Sequence, residues 1–407
     1  MHCRPAIGAY WQGFSVLKPN VVSPLLVASV CYLAVLSFLN ARGITASASE
    51  AGGVEVVLYL LCFALQARRV PLLTLVMAAW IASWLVFSWL MRQSPDIKGL
   101  RDLMIPILFI GLGRQVANVQ YAERSLAWIV GILIALGLFE ALFTNAYSQL
   151  FNTFSFYVNL GGIREGSAAF EGQMLTLNGY RPEGIGRTIL PSLLGAHRTS
   201  SALMEPVSLG NMGVILLAWG LSKSWEEIQR KPFIMLSAAL LITLADSRLG
   251  LVMGGTLLGF RMLPLPMLRR AAPFFPFLIF ACVVGAALLF SGTDDTLAGR
   301  VSRSGSALLR FDWALILGLS GPLPNFGDMG FAYILSRFGA PLCLSLILAI
   351  FMVPMADARG ERFRVFVVLY IFANFAISGT SVFALKTAGI MWFLFGVLST
   401  SPHGARI

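Results

Sequence analysis

Apolar residues recur in long blocks from Val21 to Leu398, broken by short polar stretches. Each block approaches the roughly 20 residues that a helix needs to cross a hydrocarbon core of about 30 Å. Membrane barrels alternate apolar and polar positions over about ten residues, and that pattern is absent. The blocks predict an all-α, polytopic helical membrane protein forming a single integral membrane domain over 1–407. Twelve spans are expected, at 21–39, 54–66, 71–91, 102–113, 126–144, 203–221, 233–247, 249–260, 273–290, 338–355, 365–383 and 387–399. The second, fourth and eighth are short, which fits tilted, broken or protein-buried helices. Two polar segments are too long to be simple turns, 145–202 and 291–337, and loops of that length between packed helices usually carry function.

The composition excludes a soluble chain: 57% of residues are hydrophobic and 12% charged. A net charge of +11 would fit a nucleic-acid binder, so its distribution matters. With the N-terminus inside, sixteen Lys and Arg fall in segments on that side, against six in short loops on the other: Arg42, Arg92, Lys98, Arg101, Arg248 and Lys386. The same sixteen face only five acids, so their excess equals the charge of the whole chain. This is the asymmetry of a cytoplasmic face. Both termini are therefore expected in the cytoplasm, both long loops outside, and nucleic acid is not expected as a partner. The first apolar run is long for a cleaved signal, although Ala46-Ser47-Ala48 would suit a cleavage site. The five cysteines show no disulfide framework or metal spacing.

Chemistry gathers in the two long segments. The first ends in His197-Arg198-Thr199-Ser200-Ser201-Ala202-Leu203-Met204-Glu205-Pro206. Arg198 and Glu205 share one face if the helix starts early, whereas Pro206 favours a start near Glu205. Asp246-Ser247-Arg248 then turns one span into the next, and Asp246 is the nearest anion for a boundary arginine. The second long segment holds Arg300, Arg303 and Arg310, a cationic stripe if helical, followed by Asp312 and Trp313. Each of these has an ordinary structural reading: a solvated face, a helix start, or an ion pair closing a hairpin. Together they place several guanidinium groups at one membrane boundary, where they suit a diphosphate through two-point contacts.

An Arg-x-Ser-Ser stretch with Glu-Pro and Gly before one span, Ser-Arg-x-Gly at the end of the next, and a long loop with Arg and Arg-x-x-Trp resemble the O-antigen ligase and Wzy-type polymerase superfamily. The motifs cover about residues 190 to 340, and the hydropathy covers the whole chain. The resemblance implies a GT-C-like membrane glycosyltransferase of the bacterial inner membrane. It would use a polyprenyl-diphosphate-linked oligosaccharide donor and acceptor at the periplasmic face, without metal or other cofactor. Transfer would invert the anomeric centre. On the matching positions, Arg248 and Arg303 or Arg310 would act on the diphosphate. Arg198, His197, Arg300, Asp246, Asp312 and Trp313 would line the substrate site.

Ligases of this superfamily carry a histidine in the second large loop, and this chain has none between Ser291 and Arg337. The expectation is therefore a polymerase of lipid-linked repeat units, working beside a flippase and a chain-length regulator. Glu205, His197 and Asp312 are candidate bases. The alternatives are a ligase that transfers the glycan to lipid A core or protein, and a transporter or flippase of lipid-linked glycans. Transporters place charge near the midplane, and Glu140 is the only ionisable residue expected well inside a span. No HExxH, Walker A loop, paired-cysteine zinc spacing or Gly-x-Ser-x-Gly occurs.

Overall fold

The computed structural model describes residues 19–66, 72–162, 187–195, 197–290, 292, 296–327, 329–377 and 381–399. His2, His403, Cys3 and much of the first long loop (163–186) lie outside them. Helices α1 (Pro19–Asn40), α2 (Ala48–Gln66), α3 (Leu72–Arg92), α4 (Ile97–Val116) and α5 (Val119–Leu142) come first. The first long loop carries α6 (Thr144–Phe151), α7 (Thr153–Asn159) and α8 (Pro191–Leu194). Next are α9 (Pro206–Ser222), α10 (Trp225–Arg230), α11 (Phe233–Leu244), α12 (Arg248–Met262), α13 (Leu265–Ala271) and α14 (Phe275–Leu289). The second long loop holds α15 (Leu297–Leu308) and α16 (Trp313–Ile316), before α17 (Gly330–Met352), α18 (Ala358–Ile377) and α19 (Leu385–Leu398). Among the described residues there is no strand.

Six stretches are long and apolar enough to cross a membrane: Val21–Asn40, Ala48–Gln66, Leu75–Arg92, Val119–Leu142, Leu265–Leu289 and Gly330–Met352. Helices α9, α11 and α19 are apolar but shorter. A helix stands at each of the twelve expected places, with shifted bounds. Helix α4 begins at Ile97 rather than 102, because its charged first turns have partners. Arg101 reaches Asp102 at 2.8 Å and Glu55 at 3.5 Å. Tyr333 donates to Asp102 at 2.6 Å and Tyr32 to Glu55 at 2.5 Å. Satisfied charges of this kind can sit inside an apolar bundle.

Helices α9 and α19 form the centre, since almost every residue of both is buried. Trp219 meets Phe363 edge-on at 5.5 Å, while Asn211 and Asn374 approach at 3.5 Å, so α9 and α18 run antiparallel. At the C-terminal end of α9, Lys223 and Arg359 interlock with Glu123 and Glu227 at 2.6–3.6 Å. The opposite end gathers both long loops. There α17 breaks at Gly339 (φ 70°), two residues before Pro341. The carbonyls around the break are taken by side chains: Trp84 donates to Phe338 at 2.7 Å and Arg92 to Ser336 at 3.0 Å. Arg92, expected as a loop cation, is thereby buried.

Candidate active site

The segment that returns from the first long loop is fixed to the bundle by three buried charges. Glu140 has no exposed surface. Its carboxylate accepts from Ser200 N at 2.8 Å, Ser201 N at 2.6 Å and Ser200 Oγ at 3.0 Å, and lies 2.7 Å from His197 Nε2. Asp246, also fully buried, accepts from Thr188 N at 3.0 Å, Thr188 Oγ1 at 2.9 Å and Ile189 N at 2.7 Å. Arg187 donates to the carbonyls of His197 at 2.9 Å, Leu244 at 2.6 Å and Thr243, closing the C-terminus of α11. The Thr243 and Leu244 carbonyls end the helix, and the guanidinium joins the Asp246 and Thr199 amides that also bond to them.

Several expectations change as a result. Glu140 lies in the last turn of α5, where it anchors a loop rather than sitting well inside a span. His197 is spent on that anchor and is buried. The expected Asp246–Arg248 pair is not formed, because Asp246 faces residues 188 and 189 and the turn between the helices spans 245–247. Arg198 and Glu205 do not share a helical face: residues 201–203 form a 3-10 turn, and α9 starts only at Pro206. Arg198 instead donates to the Ala245 carbonyl at 3.2 Å.

Glu205 is the N-cap residue of α9. Lys386, at the start of α19, places its ammonium 2.8 Å from Glu205 Oε2 and 2.8 Å from the Leu203 carbonyl. Ser208 donates to the same carboxylate oxygen at 2.7 Å. Burial works to raise the Glu205 pKa, but the Lys386 charge and these hydrogen bonds outweigh it and hold the carboxyl below its usual range. The Tyr157 hydroxyl is buried beside Glu205, and burial together with the Glu205 charge pushes its pKa well up. Glu205 still keeps 32% of its side-chain surface open. Glu205 is thus ionised, oriented and reachable, as a general base must be, while its lowered pKa makes it a weaker proton acceptor than one tuned near neutral pH.

Arg248 opens α12. Ser247 caps that helix by accepting from Gly250 N at 3.0 Å. A Cβ on Gly210 would come within 2.5 Å of Ser247, so only glycine lets the start of α12 lie against the first turns of α9. In the Ser-Arg-x-Gly stretch the serine and glycine thus have structural tasks. Arg248, half-buried, makes no hydrogen bond or ion pair among the described residues.

The second long loop contributes further arginines. Arg300 and Arg303 sit on α15 and line a cavity of about 280 Å³ with Ser304, Asn325, Phe326 and Ile377. Ile377 ends α18, whose Asn374 meets Asn211 of α9. Ser247 meets Gly210 and Asn374 meets Asn211, so Arg248 and the arginine-lined cavity lie toward the same end of the bundle, where α9 begins at Glu205. The cationic stripe is shorter than expected. Helix α15 stops at Leu308, which leaves Arg310 beyond it and exposed. Asp312 caps α16 by accepting from Leu315 N at 2.8 Å, and Trp313 is 77% exposed.

Sequence reasoning missed Lys386, Arg187, Tyr157 and the task of Glu140. Among the described residues no group of three or more His, Cys, Asp or Glu has the geometry to hold a metal ion. Comparison with protein-family models, curated proteins and solved structures found no match to this chain.

Proposed function

We propose that the chain is a membrane glycosyltransferase that polymerises lipid-linked polysaccharide repeat units at the outer face of a bacterial inner membrane. In this reading twelve helices span the bilayer, both termini are cytoplasmic, and the arginine-rich end faces the periplasm. What supports it is that Arg248 and the Arg300–Arg303 cavity lie at the end of the bundle where α9 begins, the end that also holds the Glu205–Lys386 pair. That arrangement offers a net positive charge for a diphosphate and, beside it, a carboxylate for a proton.

The chemistry follows. A hydroxyl of the acceptor repeat unit attacks the anomeric carbon of the donor glycan from the face opposite the diphosphate. The carbon–oxygen bond to the diphosphate breaks, and its electron pair leaves with polyprenyl diphosphate. Arg248 and Arg303 stabilise the charge that builds there, because preorganised cations are worth most where charge develops in the transition state. Glu205 takes the hydroxyl proton. Arg303 is preferred to Arg310 for this task, since it lines the cavity.

Purified protein in liposomes, given polyprenyl-diphosphate-linked repeat units, should yield a ladder of longer glycans and one released polyprenyl diphosphate per new linkage. Release without elongation would indicate a hydrolase. Movement of intact substrate across the bilayer with no new linkage would indicate a flippase. Transfer only onto lipid A core would indicate a ligase. Any of these results overturns the polymerase reading.

A further inference from the structure

Another cavity lies at the other end of the bundle, away from the arginine-rich loops. It has a volume of about 470 Å³ and opens between the starts of α5 and α11. Arg230 and Lys231 stand at its lip, both exposed, and neither side chain makes a hydrogen bond or ion pair among the described residues. The one carboxylate in its wall, Glu123, is already neutralised, by Lys223 at 2.6 Å and Arg359 at 3.0 Å. Below the two cations the wall becomes apolar, with Phe233 51% and Leu236 66% exposed.

An unspent positive pair above an exposed apolar ledge matches a molecule with an anionic head and a hydrocarbon tail. We propose that this cavity binds an anionic phospholipid of the adjoining leaflet, its phosphate between Arg230 and Lys231 and an acyl chain along Phe233 and Leu236. Basic niches between helix ends are suited to such head groups, and each surface cation contributes modestly to holding them. Charge complementarity selects the occupant. A zwitterionic lipid brings an ammonium to a place that already has two unpaired cations, and a free phosphate leaves the ledge uncovered. The inference does not depend on the glycosyltransferase reading.

Delipidated protein in a neutral detergent should be titrated with phosphatidylglycerol and phosphatidylcholine, and the bound lipid counted by native mass spectrometry. The wild type should prefer phosphatidylglycerol by tenfold or more. The double variant Arg230→Ala/Lys231→Ala should bind it about 30-fold more weakly, which corresponds to losing two surface cations. Arg270→Ala, removing another exposed cation at this end, should leave binding within twofold of wild type. Glycerol 3-phosphate at millimolar concentration should not displace the lipid. Should the double variant accumulate poorly, Lys231→Ala alone must still weaken binding several-fold. Equal affinity for the two lipids, displacement by glycerol phosphate, or unchanged binding in the variants would overturn the proposal.

Discussion

Replacing Lys386 by methionine keeps the length of the side chain and removes the charge beside Glu205. The wild-type pair is close, with the ammonium 2.8 Å from Glu205 Oε2, and Lys386 retains only 4% of its side-chain surface. Removing one partner of a buried pair costs about 3–5 kcal/mol, because the remaining charge is left uncompensated. Glu205 is open on one side and solvent screens it there, so a loss of about 2 kcal/mol is the better expectation. The double variant Glu205→Gln/Lys386→Met should recover most of that stability and none of the activity. The pH dependence has a definite sign. Lys386 holds the folded pKa of Glu205 below its unfolded value. The pair's contribution is therefore complete above the ordinary carboxylate value of about 4.3 and fades as the pH falls through the lower folded value. The wild-type rate should be flat across neutral pH, and its acidic limb should move upward in Lys386→Met. Thermal unfolding in detergent and pH–rate profiles in liposomes read the two effects separately. An unmoved acidic limb with undiminished rate would show that Glu205 takes no proton in the reaction.

Arg248→Lys should accumulate normally yet lose about 30- to 1000-fold in rate, equivalent to roughly 2–4 kcal/mol of transition-state stabilisation, as measured by release of polyprenyl diphosphate. Wild-type release from this variant would make Arg248 structural. Glu140→Ala leaves the buried amides of Ser200 and Ser201 without acceptors, at about 1–3 kcal/mol each, so protein yield and thermal midpoint should fall sharply. Arg187→Lys, which cannot span the same carbonyls, should show a milder form of that defect. Cysteines at Ser192 and Asn325 should react with a membrane-impermeant thiol reagent in spheroplasts, and one at Ser224 should not. The reverse pattern would invert the orientation.

The positions of the helices were legible because an apolar run near membrane length has few alternatives to a helix. Their ends were less so. The polar first turns of α4 read as loop, since nothing local reveals that Asp102 is matched by Tyr333, more than two hundred residues away. The same difficulty hid Lys386, which reads as a loop cation until α19 is seen to start beside Glu205. Glu140 did leave a trace in the sequence, as a lone carboxylate near the end of an apolar run. What such a residue binds is a property of the packed chain, and its partners Ser200 and Ser201 lie about sixty positions on. Arg248 was singled out by its place at a membrane boundary and by the Ser-Arg-x-Gly resemblance. The structure adds a physical reason, because its neighbours Asp246, Ser247 and Gly250 all have structural work and it has none.

Helix α11 has 12 residues, which rise only about 18 Å, against a hydrocarbon core of about 30 Å. In the proposed reading the hairpin it forms with α12 spans only where the bilayer thins to meet it, so its tip lies at the floor of a dip in the lipid surface. Under the proposed function, a prenyl-anchored donor would reach Arg248 sideways from the bilayer without leaving its leaflet, while its sugar chain rises into water through the top of the dip.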